Sequence, residues 1–268
     1  MRPQLALCCL ALLMPGPGAA QGSPPRGVAS SCERLLSDDA ITSISPRGEF
    51  GFASGRTVRL LDIRLPLDDD EFSRTLAWLR SLAGRRVAVA TLDAGADRWG
   101  RHAADVALLD EPAPIDLAEL LVREGLALVD AGDRNVLCRP DFLAHEHRAR
   151  TRRAGMWRSD RHMPLDASDR VRLQALIGQF GLVTGIVRSV GERKDRTYLN
   201  FGRDWKEDLT ITIPKRTWAI LRERGVSATS LKGLRVRARG VLEEWQGVAV
   251  EIAAADMLEI LGQETTRP

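Results

Sequence analysis

What this chain lacks narrows the reading first. Residues 5–14 form an apolar run of about 10, well short of the roughly 20 that a membrane-spanning helix needs. Lysine is scarce: Lys194, Lys206, Lys215 and Lys232 are the only lysines among 39 basic residues. An excess of one charge is also missing. The 39 basic and 36 acidic side chains leave a formal net charge of +3, so no global positive field draws the protein onto a polyanion, and any phosphate-binding surface must be local. Histidine offers little as a metal ligand. His145 and His147 stand two apart on a predicted helix and project in different directions, and His102 has no cysteine or acid at ligand spacing.

Cysteine is limited to four positions, and the first two fall inside the apolar run. That run follows one basic residue, Arg2, and precedes a Pro15-Gly16-Pro17-Gly18 break and the small pair Ala19-Ala20. This is the layout of a cleaved secretory signal. The expectation is a secreted or periplasmic protein whose mature chain begins near Gln21. Its two remaining cysteines, Cys32 and Cys138, have one intramolecular pairing available, with two free buried thiols as the alternative. Such a disulfide closes a loop of about 105 residues, worth around 4.7 kcal/mol in the chain-entropy treatment.

The length suits two modest domains. Residues 41–66 read as strands broken by a Ser54-Gly55 turn, and 68–83 as a helix with an acidic first turn and a Phe72, Leu76, Leu79 stripe stopped by Gly84. Strands follow at 85–91 and 97–109, then helices at 116–124 and 140–154, each closed by glycine. A polar stretch, 159–169, leads to strands at 181–190, 196–202 and 209–213, a helix at 214–224 with proline at its start, and strands at 234–242 and 248–252. The predicted fold class is mainly β: tandem oligonucleotide-binding (OB) type barrels with packed helices. The expected organisation is a signal peptide at 1–20, a linker at 21–40, a first domain at 41–160, a second at 170–262 and a tail at 263–268.

Four motifs occur in a fixed order in the first domain. They are Arg59-Leu60-Leu61-Asp62-Ile63-Arg64-Leu65-Pro66, Asp97-Arg98-Trp99-Gly100-Arg101, Leu121-Val122-Arg123-Glu124-Gly125-Leu126-Ala127, and Glu146 with a Gly-x-Trp ending at Trp157. Together they resemble the staphylococcal nuclease (thermonuclease) family, and the resemblance implies phosphodiester cleavage with a calcium ion, two arginines and a carboxylate. The family pattern Arg-Leu-x-Gly-Ile-Asp-x-Pro-Glu maps its arginine to Arg59, its metal-binding aspartate to Arg64 and its glutamate to Leu67. The second family arginine maps to Arg101. The upstream Asp-Gly-Asp appears as Arg47-Gly48-Glu49. A positive charge about 4 Å from a divalent ion costs on the order of 8 kcal/mol at an effective dielectric near 20, and leucine cannot accept a proton from water. Glu49 and Asp62 are the remaining metal candidates, Asp62 with an ion pair to Arg64 as its alternative role. Calcium enters only if an active phosphodiesterase has rebuilt its site from them and the acidic cluster Asp68 to Glu71, whose alternative role is favourable charge at a helix N-terminus.

In the second domain, Arg-Thr-Tyr-Leu-Asn-Phe-Gly followed by Trp205 resembles the C-terminal module of exported nuclease-like proteins of bacteria. OB barrels bind single strands by stacking bases on aromatics beside basic residues, which nominates Tyr198, Trp205, Arg196 and Arg203. The expected function is therefore binding of single-stranded DNA or RNA, or a related phosphodiester, through Arg59 and Arg101, with hydrolysis in doubt. Two alternatives stand beside it: the rebuilt metal-dependent nuclease, and an envelope module that binds protein or glycan.

Overall fold

The structure is a computed structural model that describes residues 32–67, 70–93, 95–110, 112–202 and 208–262. The predicted signal peptide and tail lie outside the described residues. In chain order the first unit contains β1 (Arg34–Ile44), β2 (Phe50–Phe52), β3 (Thr57–Leu60), β4 (Ile63–Arg64), α1 (Asp70–Arg80), β5 (Arg86–Leu92), β6 (Arg101–Leu108), β7 (Ile115–Asp116), α2 (Leu117–Arg123), β8 (Leu128–Val129) and α3 (Phe142–Thr151).

Strand alternation explains the closure of the first barrel. Val58 and Leu60 on β3, Val87 and Val89 on β5, and Val106 and Leu108 on β6 all point inward and are buried with Phe50 and Phe52 of β2. The strands run in the order β3-β2-β1-β5-β6, and a parallel pairing of β3 with β6 closes five strands into a barrel. Only a closed sheet leaves no edge. Helix α1 lays Phe72 and Leu79 onto the core, as its predicted stripe requires.

Two glycine-bearing motifs prove to be one packing feature. Gly125, after α2, and Gly155, after α3, both have positive φ, and their backbones touch: a Cβ on Gly125 would stand 2.3 Å from the Ala154 carbonyl oxygen, and one on Gly155 2.3 Å from that of Gly125. Any side chain there would push the two helix ends apart. The contact seats Trp157, which is fully buried.

The second unit has β9 (Leu165–Asp166), α4 (Arg170–Ala175), β10 (Phe180–Ile186), β11 (Ser189–Glu192), β12 (Arg196–Asn200), β13 (Thr210–Pro214), α5 (Lys215–Glu223), α6 (Ala228–Leu231), β14 (Arg235–Glu244), β15 (Val248–Glu251) and β16 (Leu258–Gly262). Its strands run β11-β12-β13-β15-β14-β10-β9, with β16 on the far side of β14. Only Val187 and Arg188 separate β10 from β11. Taken as one bent strand, they bring β11, at one end of that order, back to β10 and so close β10 to β15 into a barrel, with β9 pairing on β10 beyond it.

Three boundaries differ from expectation. The barrel begins at Arg34, inside the stretch predicted as a linker, and β1 pairs with β5 along 34–40. Its Leu35-Leu36 and Asp38-Asp39 pairs break the two-residue alternation that marks a strand. The second unit starts before residue 170, because Leu165 and Asp166 form a parallel bridge to Val183 and Thr184, and two residues are too few for a periodic signal. The predicted continuous strand over 57–63 is interrupted: the chain turns at Leu61 and Asp62, with Asp62 at φ 59.

The two units are tied by buried charge. Arg239 on β14, 1% exposed, donates to Glu146 of α3 at 2.7 Å and to Glu259 of β16. Glu146, itself fully buried, also accepts from the Val129 amide at 2.8 Å. The Glu146 of the fourth motif is thus a structural hub. Nearby, the Leu137 amide donates to Asp256 and the Ala255 amide to the Asn135 carbonyl, both at 2.8 Å.

Candidate functional site: an arginine-lined cleft between the two units

The β3–β6 pairing that closes the first barrel also creates the site. It sets Thr57 opposite Arg101 and Arg59 opposite Ala103, so the two arginines stand on neighbouring strands, two residues out of step. Both line a cleft of about 910 Å³ whose opposite wall is Phe180, Gly181 and Leu182 of β10. Its lining includes Arg47, Arg59, Arg64, Arg98, Arg101 and Arg161 together with Glu49, Asp97, Asp130 and Asp133. Among the described residues, six arginines thus stand with four carboxylates in this cleft, whereas the chain as a whole is nearly neutral.

The two predicted anchors differ in how they are held. Arg101 is committed: Nη1 donates to Glu49 Oε1 at 2.6 Å, Nε and Nη2 meet Asp97 Oδ2 at 2.9 and 2.8 Å, and the guanidinium lies 4.6 Å over the Trp99 ring. The Arg101 hydrogen bond holds the Glu49 carboxyl below its ordinary value, with burial opposing and the Ser45 hydroxyl assisting. Burial opposes the charge on Asp97 too, but hydrogen bonds from the Arg101 side chain and from the Arg101 and Trp99 amides outweigh it and hold the carboxyl at about 2. Arg59 is the looser of the two. Its nearest carboxylate is Asp133 at 3.9 Å, and it makes no hydrogen bond among the described residues.

Arg64 is the residue that sequence reasoning undervalued. The expected Asp62–Arg64 pair does not form, because the turn at Asp62 sends the two side chains apart. Asp62 is fully buried and accepts from Arg134 and from the Arg139 amide, the latter at 2.6 Å. Arg64 instead faces the cleft, 45% exposed, with Nε on Asp130 Oδ2 at 2.8 Å and its guanidinium 4.8 Å over the Phe180 ring. An Asp-x-Gly-Asp turn, 130–133, supplies both Asp130 and Asp133. Gly132 donates to Asp130 at 2.8 Å, and a Cβ on it would lie 3.7 Å from Arg59 Nη1. That acidic turn was a legible signal.

The described carboxylates of the cleft do not suit a divalent cation, and Asp68 and Asp69 of the acidic cluster lie outside the described residues. Calcium takes six to eight oxygens, whereas Glu49 and Asp97 are bound to Arg101, Asp130 to Arg64 and the Gly132 amide, and Asp62 points away from the cleft. Leu67, 48% exposed, brings no oxygen from its side chain.

The second barrel's nominated residues gather elsewhere. Tyr198 stacks on Trp245, ring centroids 5.6 Å apart at 19°, and Arg196 is paired with Glu251. Neither Tyr198 nor Arg196 lines the cleft. Trp245, on the turn between β14 and β15, was not anticipated. Trp205 and Arg203 lie outside the described residues. Cys32 and Cys138 form the expected disulfide.

No curated protein is detectably similar to the chain in sequence. Among solved structures, an OBody, AM3L09, bound to hen egg-white lysozyme aligns at 17% identity over 33% of this chain and 87% of its own, with a TM-score of 0.25. The extended Tudor domain of Drosophila melanogaster Tudor-SN (p100) aligns at 18% identity over 38% of this chain, with a TM-score of 0.30, and the chain spans 47% of that structure's length. A family model described as "Staphylococcal nuclease homologue" matches residues 57–159, a segment that starts on β3 and ends just past Trp157. The segment from β3 to just past Trp157, residues 57–159, is thus a staphylococcal nuclease-like domain.

Proposed function

We propose that this protein is an exported binder of single-stranded nucleic acid, or of a chemically related phosphodiester, that seats its ligand in the cleft between the two barrels and does not hydrolyse it by the family's calcium route. The observation that carries this reading is the commitment of the cleft's carboxylates. Each of Glu49, Asp97 and Asp130 is engaged by an arginine, while the resemblance assigns a metal-binding aspartate to the position of Arg64 and the water-activating glutamate to that of Leu67. Removing a metal ligand and a proton acceptor together disables the chemistry and leaves the anion attraction intact. The second unit would act as an OB-type module that builds the far wall. Export is supported by the signal layout and by a disulfide, which persists in oxidising compartments.

Two measurements test this. A labelled 12-nucleotide single strand should bind with an affinity that falls as salt rises, and the same strand should survive prolonged incubation with calcium. Calorimetry should detect no micromolar calcium binding. Cleavage of DNA or RNA that depends on calcium and disappears in Glu49→Ala would establish a rebuilt enzyme instead. An affinity indifferent to salt would favour a protein- or glycan-binding module.

A further inference from the structure

We infer that the phosphate seat in this cleft is built by Arg59 with Arg64, rather than by Arg59 with Arg101, and that Arg64 supplies the positive charge locally, so that binding needs no metal. The inference rests on the phosphodiester reading above and assigns its ligand contacts.

An arginine binds phosphate through paired N–H donors, so the question is which cleft arginines have donors to offer. Arg101 spends Nε, Nη1 and Nη2 on two carboxylates. The Glu49, Asp97 and Arg101 group carries a formal charge of −1, which repels rather than attracts an anion. Arg64 commits only Nε, to Asp130; its two terminal nitrogens make no hydrogen bond among the described residues, and its side chain is 45% exposed to the cleft. Arg59 makes none at all.

Arg64 is also held in place, which lowers the entropic cost of binding. Asp130 fixes Arg64 from one side, and the Phe180 ring supports its guanidinium plane at 4.8 Å. Arg59 lies beside the same turn, with Asp133 3.9 Å away. The turn 130–133 thus braces Arg64 and borders Arg59, and both arginines line the cleft. Because Phe180 belongs to β10, the second unit helps to orient the seat.

The test uses the full-length oxidised protein and a fluorescein-labelled single strand of 12 thymidines. Arg64→Gln and Arg59→Gln should each weaken binding by about tenfold or more and should each reduce the slope of log affinity against log salt by about 0.7, the value for one single-strand phosphate contact. Chelator should change nothing in the parent. Arg101→Gln should lower the melting temperature while leaving that slope unaltered. Arg64→Lys keeps the charge but loses the paired N–H donors, so it should retain most of the salt slope while binding more weakly than the parent. It also decides the matter if Arg64→Gln folds poorly. Parent-like affinity and slope in folded Arg64→Gln, with loss in Arg59→Gln, would overturn the Arg64 assignment and leave the proposed function standing. So would parent-like affinity in Arg64→Lys. Failure of the parent to bind at all would instead defeat the proposed function.

Discussion

At the residue scale, the cleft shows how a carboxylate can be neutralised by its neighbour rather than by a metal. Glu49 and Asp97 are both held ionised by Arg101. A carboxyl whose folded value lies below its unfolded one contributes stability above the unfolded value, and that contribution disappears as pH falls through the folded value. For Asp97 the ordinary value is 3.8 and the folded value about 2. Thermal melts should therefore lose stability as the buffer passes from about pH 4 to pH 2, and the loss should be shallower in Arg101→Gln. At neutral pH, Arg101→Gln should cost about 1–2 kcal/mol, since hydrogen bonds to charged groups contribute about 1.5–3 kcal/mol and partial exposure screens them. A melting curve at pH 7 superimposable on the parent's would show that these pairs contribute nothing to stability.

At the element scale, period and punctuation made most strands and helices readable, and the closure of the first barrel followed from their order. What was not readable depended on contacts distant in sequence. Asp62 looked like a strand residue two positions before Arg64, yet its partners are Arg134 and the Arg139 amide, more than 70 residues away. No local spacing encodes that. Glu146 was legible as a motif member but not as the partner of Arg239, a residue of the other unit. Burial makes that pair sensitive to change. Replacing Arg239 with methionine leaves Glu146 and Glu259 facing each other without their shared cation, and breaking a buried pair in this way costs about 3–5 kcal/mol. Denaturant unfolding of Arg239→Met should show that loss; a change under 1 kcal/mol would mean that the carboxylates relax or take up protons cheaply.

At the scale of the whole molecule, the two units share buried charge, main-chain hydrogen bonds and a packed cluster in which Leu182 of β10 lies with Trp157, Met156 and Leu128. Unfolding should accordingly follow one cooperative transition rather than two, with calorimetric and van't Hoff enthalpies in agreement. Two resolved transitions would indicate that the units melt separately. The disulfide spans 106 residues of sequence, so its reduction should remove about 4–5 kcal/mol by the loop-entropy relation. Titration with denaturant, with and without a dithiol reductant, measures it. The cysteine pair was legible because exclusion of the signal left one partner choice. The cleft was not, because its far wall comes from β10, and the acidic turn at 130–133, though visible in the sequence, does not say which arginines it meets.

That turn has a consequence for timing. Residues 130–139 carry Asp130 and Asp133, which face the cleft arginines, then Asn135 and Leu137, which meet the second unit, and then Cys138. One covalent bond thus anchors the segment that carries both the cleft-facing acids and part of the contact between the two units. Before an oxidant has acted, the segment lacks its tether, and the grip on phosphate should be weak. Under the proposed function, the protein would then stay quiet among the cell's own nucleic acids until its export, with oxidation as its maturation signal. Strand binding measured through an oxidative refolding course should rise in step with loss of free thiol, and binding that precedes disulfide formation would separate the two events.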